Sequence, residues 1–427
     1  MPAAVIQAYP ERSIRPDSAS YLFLVDRLLE GKGLHGDGTS HIDLQRTPGY
    51  PLFLAALFSV FGSDANAAVV LVQLLSGGIV AFILYYLGKL YFGSKVGIAA
   101  GLIYMLVPNV VLWSMAILSD VLFSLVLVLA FVPIALYVRN SKIWLLAVAG
   151  ILLGMAGLIR PIGMMLLLLW AVLLVGMNAF TKKPLRHILL AGSVFVATAG
   201  MLLGAWVIRN TIVWDRTMLS SISVWNLGHY MAPAAMAEAE GISLNEARDL
   251  IPTTRIPHPW ERDTYLGILL QYPVATIVTH LRGVGRVLTE MGRSNVVQIL
   301  NLSDMYNGIL SAVLALDYAS VLERFKQLVE EPGTLFGFLI VGFSTLMQLF
   351  VYTGTLIGTV RSVRRGPTAK RWIAIFMILT AAVLIVLPGS VGNSRFRVPA
   401  EPYLAFLSAV GFVGWRRLVS EERVNLE

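Results

Sequence analysis

The stretch Trp113-Ser-Met-Ala-Ile-Leu-Ser-Asp-Val-Leu-Phe-Ser-Leu-Val-Leu-Val-Leu-Ala-Phe-Val-Pro-Ile-Ala-Leu136 decides the fold. From Ser119 onward it stays apolar for about twenty residues, the length an α-helix needs to cross the hydrocarbon core of a bilayer. One carboxylate, Asp120, stands at its mouth, and the linker to the preceding apolar run is almost absent. An acid held there between two helices is costly unless partnered, so a functional role is the default. Capping of the helix it opens is the competing role. Pro133 lies inside the run, and lipid-embedded helices tolerate such a break.

Outward from this stretch, further apolar runs fall at about 66–87, 96–114, 143–159, 162–178, 188–208, 334–360, 372–389 and 400–415. With 119–138 they predict an all-α polytopic membrane protein of about nine crossings. Residues 1–46 are polar, and Pro51–Phe61 is apolar but too short to span, so it is expected as a juxtamembrane helix. The composition agrees: 57% of the 427 residues are hydrophobic and 14% charged, with a mean hydropathy of +0.73. A soluble domain carries roughly 25% charged residues. The absence of cysteine excludes disulfides, thiolate catalysis and cysteine-ligated metals.

Charge is distributed asymmetrically. One set of connecting segments holds Lys89, Lys95, Arg139, Lys142, Lys182, Lys183, Arg186, Arg361, Arg364, Arg365, Lys370, Arg371, Arg416 and Arg417, and no acid before the C-terminal tail. Basic loops stay in the cytoplasm, so the other ends, with Asp17, Asp120 and most other carboxylates, are expected outside. This placement accounts for the net charge of +8 through topology and anionic lipid, without nucleic acid. It puts the C-terminus inside and the N-terminus outside. A tail carrying Arg12, Arg15, Arg27, Lys32 and Arg46 is awkward to translocate alone, and Met1–Pro10 has no signal-peptide pattern. A further hydrophobic helix upstream is therefore expected.

Four regions result: 1–64, an outer first loop with its juxtamembrane helix; 65–208, an N-terminal transmembrane bundle; 209–333, an outward-facing region; and 334–427, C-terminal transmembrane helices with a short cytoplasmic tail. In the outer region Ser243-Leu-Asn-Glu246 is a capping-box pattern that should open a helix. After Pro273, the positions Val274, Ile277, Leu281, Val284, Leu288 and Met291 recur at helical spacing, with Arg282, Arg286 and Arg293 on another face. That pattern suits an amphipathic helix on the membrane surface, and equally a packed loop helix. Glu238, Glu240, Glu246 and Asp249 read as a solvated helix face. His35, His41, His229, His258 and His280 show no metal-ligand spacing. Asn301-Leu-Ser303 is formally a sequon and too short a match to carry weight.

Candidate chemistry gathers at the outer helix ends. Asp17 follows Arg15-Pro16, and the proline favours an ordered turn there; a solvated loop acid is the bland alternative. Arg46-Thr-Pro-Gly-Tyr-Pro51 makes a rigid, sharply turned entry into the short apolar helix. It fixes Arg46 at the membrane surface beside Tyr50, with a plain headgroup anchor as the alternative. Arg160-Pro161 joins two spans, Arg209 closes the sixth, and Arg395-Phe-Arg-Val-Pro399 precedes the last. Guanidinium groups bind phosphate through paired donors and keep their charge. Singly, each arginine could equally contact headgroups or snorkel; their coincidence with two aspartates on one face favours function.

These motifs, in this order, resemble the GT-C superfamily of integral-membrane glycosyltransferases. The likeness is to the branch of dolichyl-phosphate-mannose protein mannosyltransferases and the lipid A aminoarabinose transferase. It rests on Asp17-Ser-Ala-Ser-Tyr21, Leu28-Leu-Glu-Gly31, Arg46-Thr-Pro-Gly-Tyr-Pro51, Leu118-Ser-Asp-Val-Leu-Phe123, Gly154-Met-Ala-Gly-Leu-Ile-Arg-Pro161 and Arg395-Phe-Arg-Val-Pro399. The resemblance implies a sugar donor on a polyprenyl phosphate and a lipid, polysaccharide or protein acceptor, with Asp17 as the essential carboxylate. Asp120 matches a second acidic position, and Arg46, Arg160, Arg395 and Arg397 match positions holding the lipid phosphate. The family often shows adjacent acids in its first loop, whereas Ser18 follows Asp17 here, and the family's first helix precedes this loop. No cofactor is required by the pattern; a divalent cation near Asp120 is the one candidate. The expected reaction is inverting transfer. A lipid or anionic-solute transporter would place ionisable groups near the bilayer midplane, and here the spans are nearly free of charge. A non-catalytic envelope-assembly subunit is the other rival.

Overall fold

The structure, a computed structural model, describes residues 6–34, 42–251, 262–300 and 332–414, with isolated positions between 317 and 326. His35, His41, His258, Asn301-Leu-Ser303, Arg416 and Arg417 lie outside the described residues. Among those described, the regular elements are helices. Six are long and apolar enough to cross a membrane, or seven if one bent pair is a single span. The chain is a multi-pass helical membrane protein.

Each expected span is helical, with three differences. The 96–114 run is broken into Ser94–Leu106 and Pro108–Ser114, bent by 53°, because Pro108 lacks the N–H that would continue the helix and disfavours helical geometry in Val107. Trp144–Ile159 and Glu401–Val413 have 16 and 13 residues. At 1.5 Å per residue these reach about 24 and 20 Å, short of the roughly 30 Å core. The first ends at Arg160, and the second begins at Glu401. The Pro51–Phe61 helix begins earlier, at Gly49, and continues through a short turn into Ala65–Tyr91.

Residues 1–46, expected as loop, contain the helix Pro16–Leu29, with Pro16 in its first turn. It rests on the linker beside Asp120: the Ser18 hydroxyl donates to the Ile117 carbonyl at 2.8 Å, and the Ile117 amide donates to the Ser13 carbonyl. The bundle core closes on aromatic rings, with Phe131 edge-on to Trp170 and Tyr403.

In the outer region Ser243 caps Leu244–Leu250, accepting from the Glu246 amide, as its pattern predicts. The amphipathic helix spans Pro273–Thr289; Met291 and Arg293 lie beyond it. Its docked side is Ala275, Thr279, Gly283 and Val287, while Val274, Ile277 and Leu281 are 73, 59 and 62% exposed. The helix thus docks mainly through small residues and leaves the first half of its apolar stripe outward, while Val284 and Leu288 pack against the core. Glu238 pairs with Arg282 and Glu240 accepts from the Tyr272 hydroxyl, so these acids fasten neighbouring helices and are not a purely solvated face.

Candidate active site

Five side chains distant in sequence converge at one end of the bundle. Arg395 sits between the two aspartates, with its Nη1 2.7 Å from Asp17 Oδ2 and its Nε 3.3 Å from Asp120 Oδ2. Arg46 reaches the other Asp17 oxygen at 3.2 Å, and Arg160 pairs with the other Asp120 oxygen. Three guanidiniums against two carboxylates leave these five groups with one excess positive charge. Asp120 is 2% exposed and Asp17 39%, so Asp17 is the open acid and Asp120 the buried one. Ser119 makes no side-chain cap, and both Asp120 oxygens face arginines. Ion pairing, not capping, is what Asp120 does.

Local structure sets each group. Ser18 accepts from the Arg15 amide and starts the helix that presents Asp17, Ser20 and Tyr21. Residues three and four apart share a helix face, which brings Ser20 and Tyr21 beside Asp17. Arg46 donates to Ser20 Oγ at 2.8 Å and lies 4.5 Å from the Tyr21 ring centroid. The Tyr21 hydroxyl meets Ser119 Oγ at 3.0 Å. Arg160 and Arg395 both lie over the Phe396 ring. Gly49 is required by close approach: a Cβ there would stand 2.8 Å from Ile159 Cγ1 and from the Leu158 carbonyl oxygen. The turn after Arg46 thereby packs against the helix end that carries Arg160.

The remaining sequence candidates lie elsewhere. Arg397 is fully buried. It pairs with Glu401 at 2.6 Å and donates to the carbonyls of Val287 and Leu288, which joins the last helix to the outer region. Tyr50 is also fully buried; it donates to Gln73 Oε1, whose amide donates to the Ser114 and Ala116 carbonyls. It props the linker behind Asp120. Arg209 lies outside the cluster, donating to Asn210 Oδ1 and the Leu34 carbonyl and stacking on Trp206.

Ser20, Tyr21, Ser119 and Phe396 stand inside the quoted motifs, but the sequence carries no signal for the pairing that brings them to the cluster. Tyr230 had no sequence signal. It comes from a π-helical turn, Leu227–Met231. Its phenol is pushed up by burial and then by the Asp17 charge, with Arg395 opposing. At Asp17 burial would raise the carboxyl, but Arg395 and then Arg46 hold it well below the usual range. Arg395, despite burial, is held above the usual arginine value by Asp120 and Asp17.

A divalent cation bridging Asp17 and Asp120 does not fit this arrangement, since Arg395 fills the position between them. Among the described residues no three His, Cys, Asp or Glu side chains come together.

The architecture is that of a polytopic helical membrane protein with paired acids and arginines gathered at one end of its bundle. Residues 45–203 match the family described as dolichyl-phosphate-mannose-protein mannosyltransferase, a stretch that includes Arg46, Asp120 and Arg160. The chain is similar to the Archaeoglobus fulgidus oligosaccharyltransferase AglB solved with an inhibitory peptide and a dolichol-phosphate. The identity is 12%, over 90% of this chain and 44% of that one, with a TM-score of 0.43. The same organism's oligosaccharyltransferase tethered to an acceptor peptide gives 13% identity over 89% and 42%, with a TM-score of 0.43. ArnT from Cupriavidus metallidurans gives 13% identity over 87% and 67%, with a TM-score of 0.30. The chain spans less than half the length of the two oligosaccharyltransferase chains. No curated protein matches the sequence.

Proposed function

We propose that this protein transfers a sugar from a polyprenyl-phosphate donor to a hydroxyl acceptor, with inversion, at the outer face of the cytoplasmic membrane. The observation that carries this reading is the convergence of Asp17 and Asp120 on Arg46, Arg160 and Arg395. The net positive charge of the cluster suits a lipid phosphate.

The acceptor oxygen attacks the anomeric carbon and its proton passes to Asp17. The bond from that carbon to the phosphate oxygen breaks, and the polyprenyl phosphate leaves as an anion. Asp17 then returns its proton to solvent. The leaving phosphate needs no general acid, so the paired-acid logic of glycoside hydrolases is unnecessary. Arg46, Arg160 and Arg395 stabilise the charge that develops on it; losing one such donor typically costs about 10²–10³-fold in rate. Asp120, locked between Arg160 and Arg395, positions those arginines.

In the absence of donor Asp17 is a poor base, because the same arginines hold its proton affinity down. A phosphate that engages Arg46 and Arg395 competes with Asp17 for them and raises that affinity. The donor thus prepares the base that consumes it.

Membranes containing the protein, incubated with radiolabelled polyprenyl-phosphate sugars, test the reading. Sugar release that falls by about 10²–10⁴-fold in Asp17→Asn, the usual worth of a general base, supports it. No release from any donor by folded protein would point to transport or a non-catalytic envelope role.

A further inference from the structure

We propose that a second site, at the opposite, basic end of the bundle, holds the phosphate headgroup of an anionic membrane lipid. A pocket of about 320 Å³ lies there, lined among others by Ser141, Asn178, Thr181, Lys183, Thr368 and Trp372. This is within the range of small-molecule sites, about 300–1,000 Å³. Tyr137, also in its wall, is seventeen residues along the helix from Asp120, about 26 Å away, so the pocket is separate from the glycosyl-transfer site.

Its chemistry is that of an anion receptor. Lys183 supplies a charge, and no ion pair to it is formed among the described residues. Ser141 and Thr368 line the same pocket, as does Thr181, whose hydroxyl is turned to the Met177 and Asn178 carbonyls of its own helix. Thr368 begins the helix Thr368–Val386, which has no side-chain cap, so first-turn amides there add donors to the same wall. The floor is fixed: Asn178 is buried, accepts from the Tyr137 hydroxyl at 2.8 Å, and donates to the Leu174 carbonyl. Ser141 and Lys182 adopt left-handed backbone, φ 55° and 54°. They end their helices abruptly, and Lys183 follows directly.

Two observations identify a lipid as the occupant. The segments at this end carry Arg139, Lys142, Lys182, Arg186, Lys370 and Arg371 and no acid, so the surrounding potential attracts anions. Trp372 packs edge-on against Phe180, ring centroids 6.0 Å apart, at the ends of their helices. Trp at that level marks the headgroup region. A phosphodiester there has its polar head beside Lys183 and its chains continuing into bilayer.

Native mass spectrometry of the full protein, released from micelles doped equally with phosphatidylglycerol and phosphatidylcholine, tests the proposal. Preferential retention of one phosphatidylglycerol is expected. Lys183→Gln should weaken it about fivefold, the factor for one basic residue near a membrane surface. Lys142→Gln, exposed at the same end and outside the pocket, should leave it unchanged. Thr368→Val, which keeps the charge, should also weaken it, and both variants should remain monodisperse. Equal losses in Lys183→Gln and Lys142→Gln would overturn the site in favour of diffuse attraction. Displacement by millimolar inorganic phosphate would make a soluble anion the ligand, and absence of any lipid preference would remove it.

Discussion

Asp17 and Arg395 show how one residue can be assigned from sequence and another only half assigned. Asp17 was legible because an acid behind a proline near a membrane mouth needs a reason. That both its oxygens are held by arginines from residues 46 and 395 was not legible, since sequence carries no signal for such distant pairing. Arg395 and Arg397, two apart in one motif, looked equivalent. The short 3₁₀ turn Ser394–Arg397 separates them, one facing the aspartates and the other buried against Glu401. The double grip on Asp17 has a kinetic consequence. The pH dependence of kcat/KM reports the free protein and that of kcat the substrate complex. For the proposed transfer, the acid limb of kcat should therefore lie at higher pH than that of kcat/KM, because a donor phosphate would draw the arginines away. Coincident limbs in initial-rate profiles would show that Asp17 keeps its partners throughout. The same pairing bears on stability. A carboxylate held below its unfolded value of about 3.9 stabilises the fold above that pH and loses this contribution as the pH falls further.

Among the elements, the Pro273–Thr289 helix is the instructive case. Its 3.6-residue pattern was plain, but the pattern marked the exposed stripe, and the docked face went unremarked because Ala275, Thr279 and Gly283 are small. Close packing in membrane-associated helices depends on small residues. A Cβ on Gly283 would lie 1.9 Å from the Gly389 carbonyl oxygen, a backbone atom that has little room to yield. Gly283→Ala should therefore destabilise the protein by about 1–3 kcal/mol, the usual cost of overpacking, and lower the midpoint of thermal unfolding in detergent. Gly285→Ala, where nothing lies within 4 Å, should leave the midpoint unchanged or raised. Span existence was legible throughout, because apolar runs of this length have few other uses. The break at Val107–Pro108 could have been read from the proline. The shortness of Glu401–Val413 could have been read too, since the motif Arg395-Phe-Arg-Val-Pro399 bounds that apolar run on its outer side.

For the whole molecule, the charge asymmetry predicts sidedness, and the absence of cysteine makes the prediction clean. Lys142→Cys and Asp215→Cys should be labelled by an impermeant maleimide from opposite sides of sealed vesicles, with Asp215→Cys reacting from outside the cell. Labelling of both from one side would overturn the topology and with it the outer location of transfer. One small turn gathers hydrogen bonds from both halves of the chain. Asn109 and Trp113 donate to the Ser394 carbonyl and hydroxyl, and Glu290 accepts from the Ser394 amide. Arg286 donates to the Ser390 carbonyl, while Arg397 grips Val287 and Leu288. This turn also carries Arg395. It therefore works as a tiller: a shift of the 273–289 helix reaches the guanidinium that couples both aspartates through a single short turn.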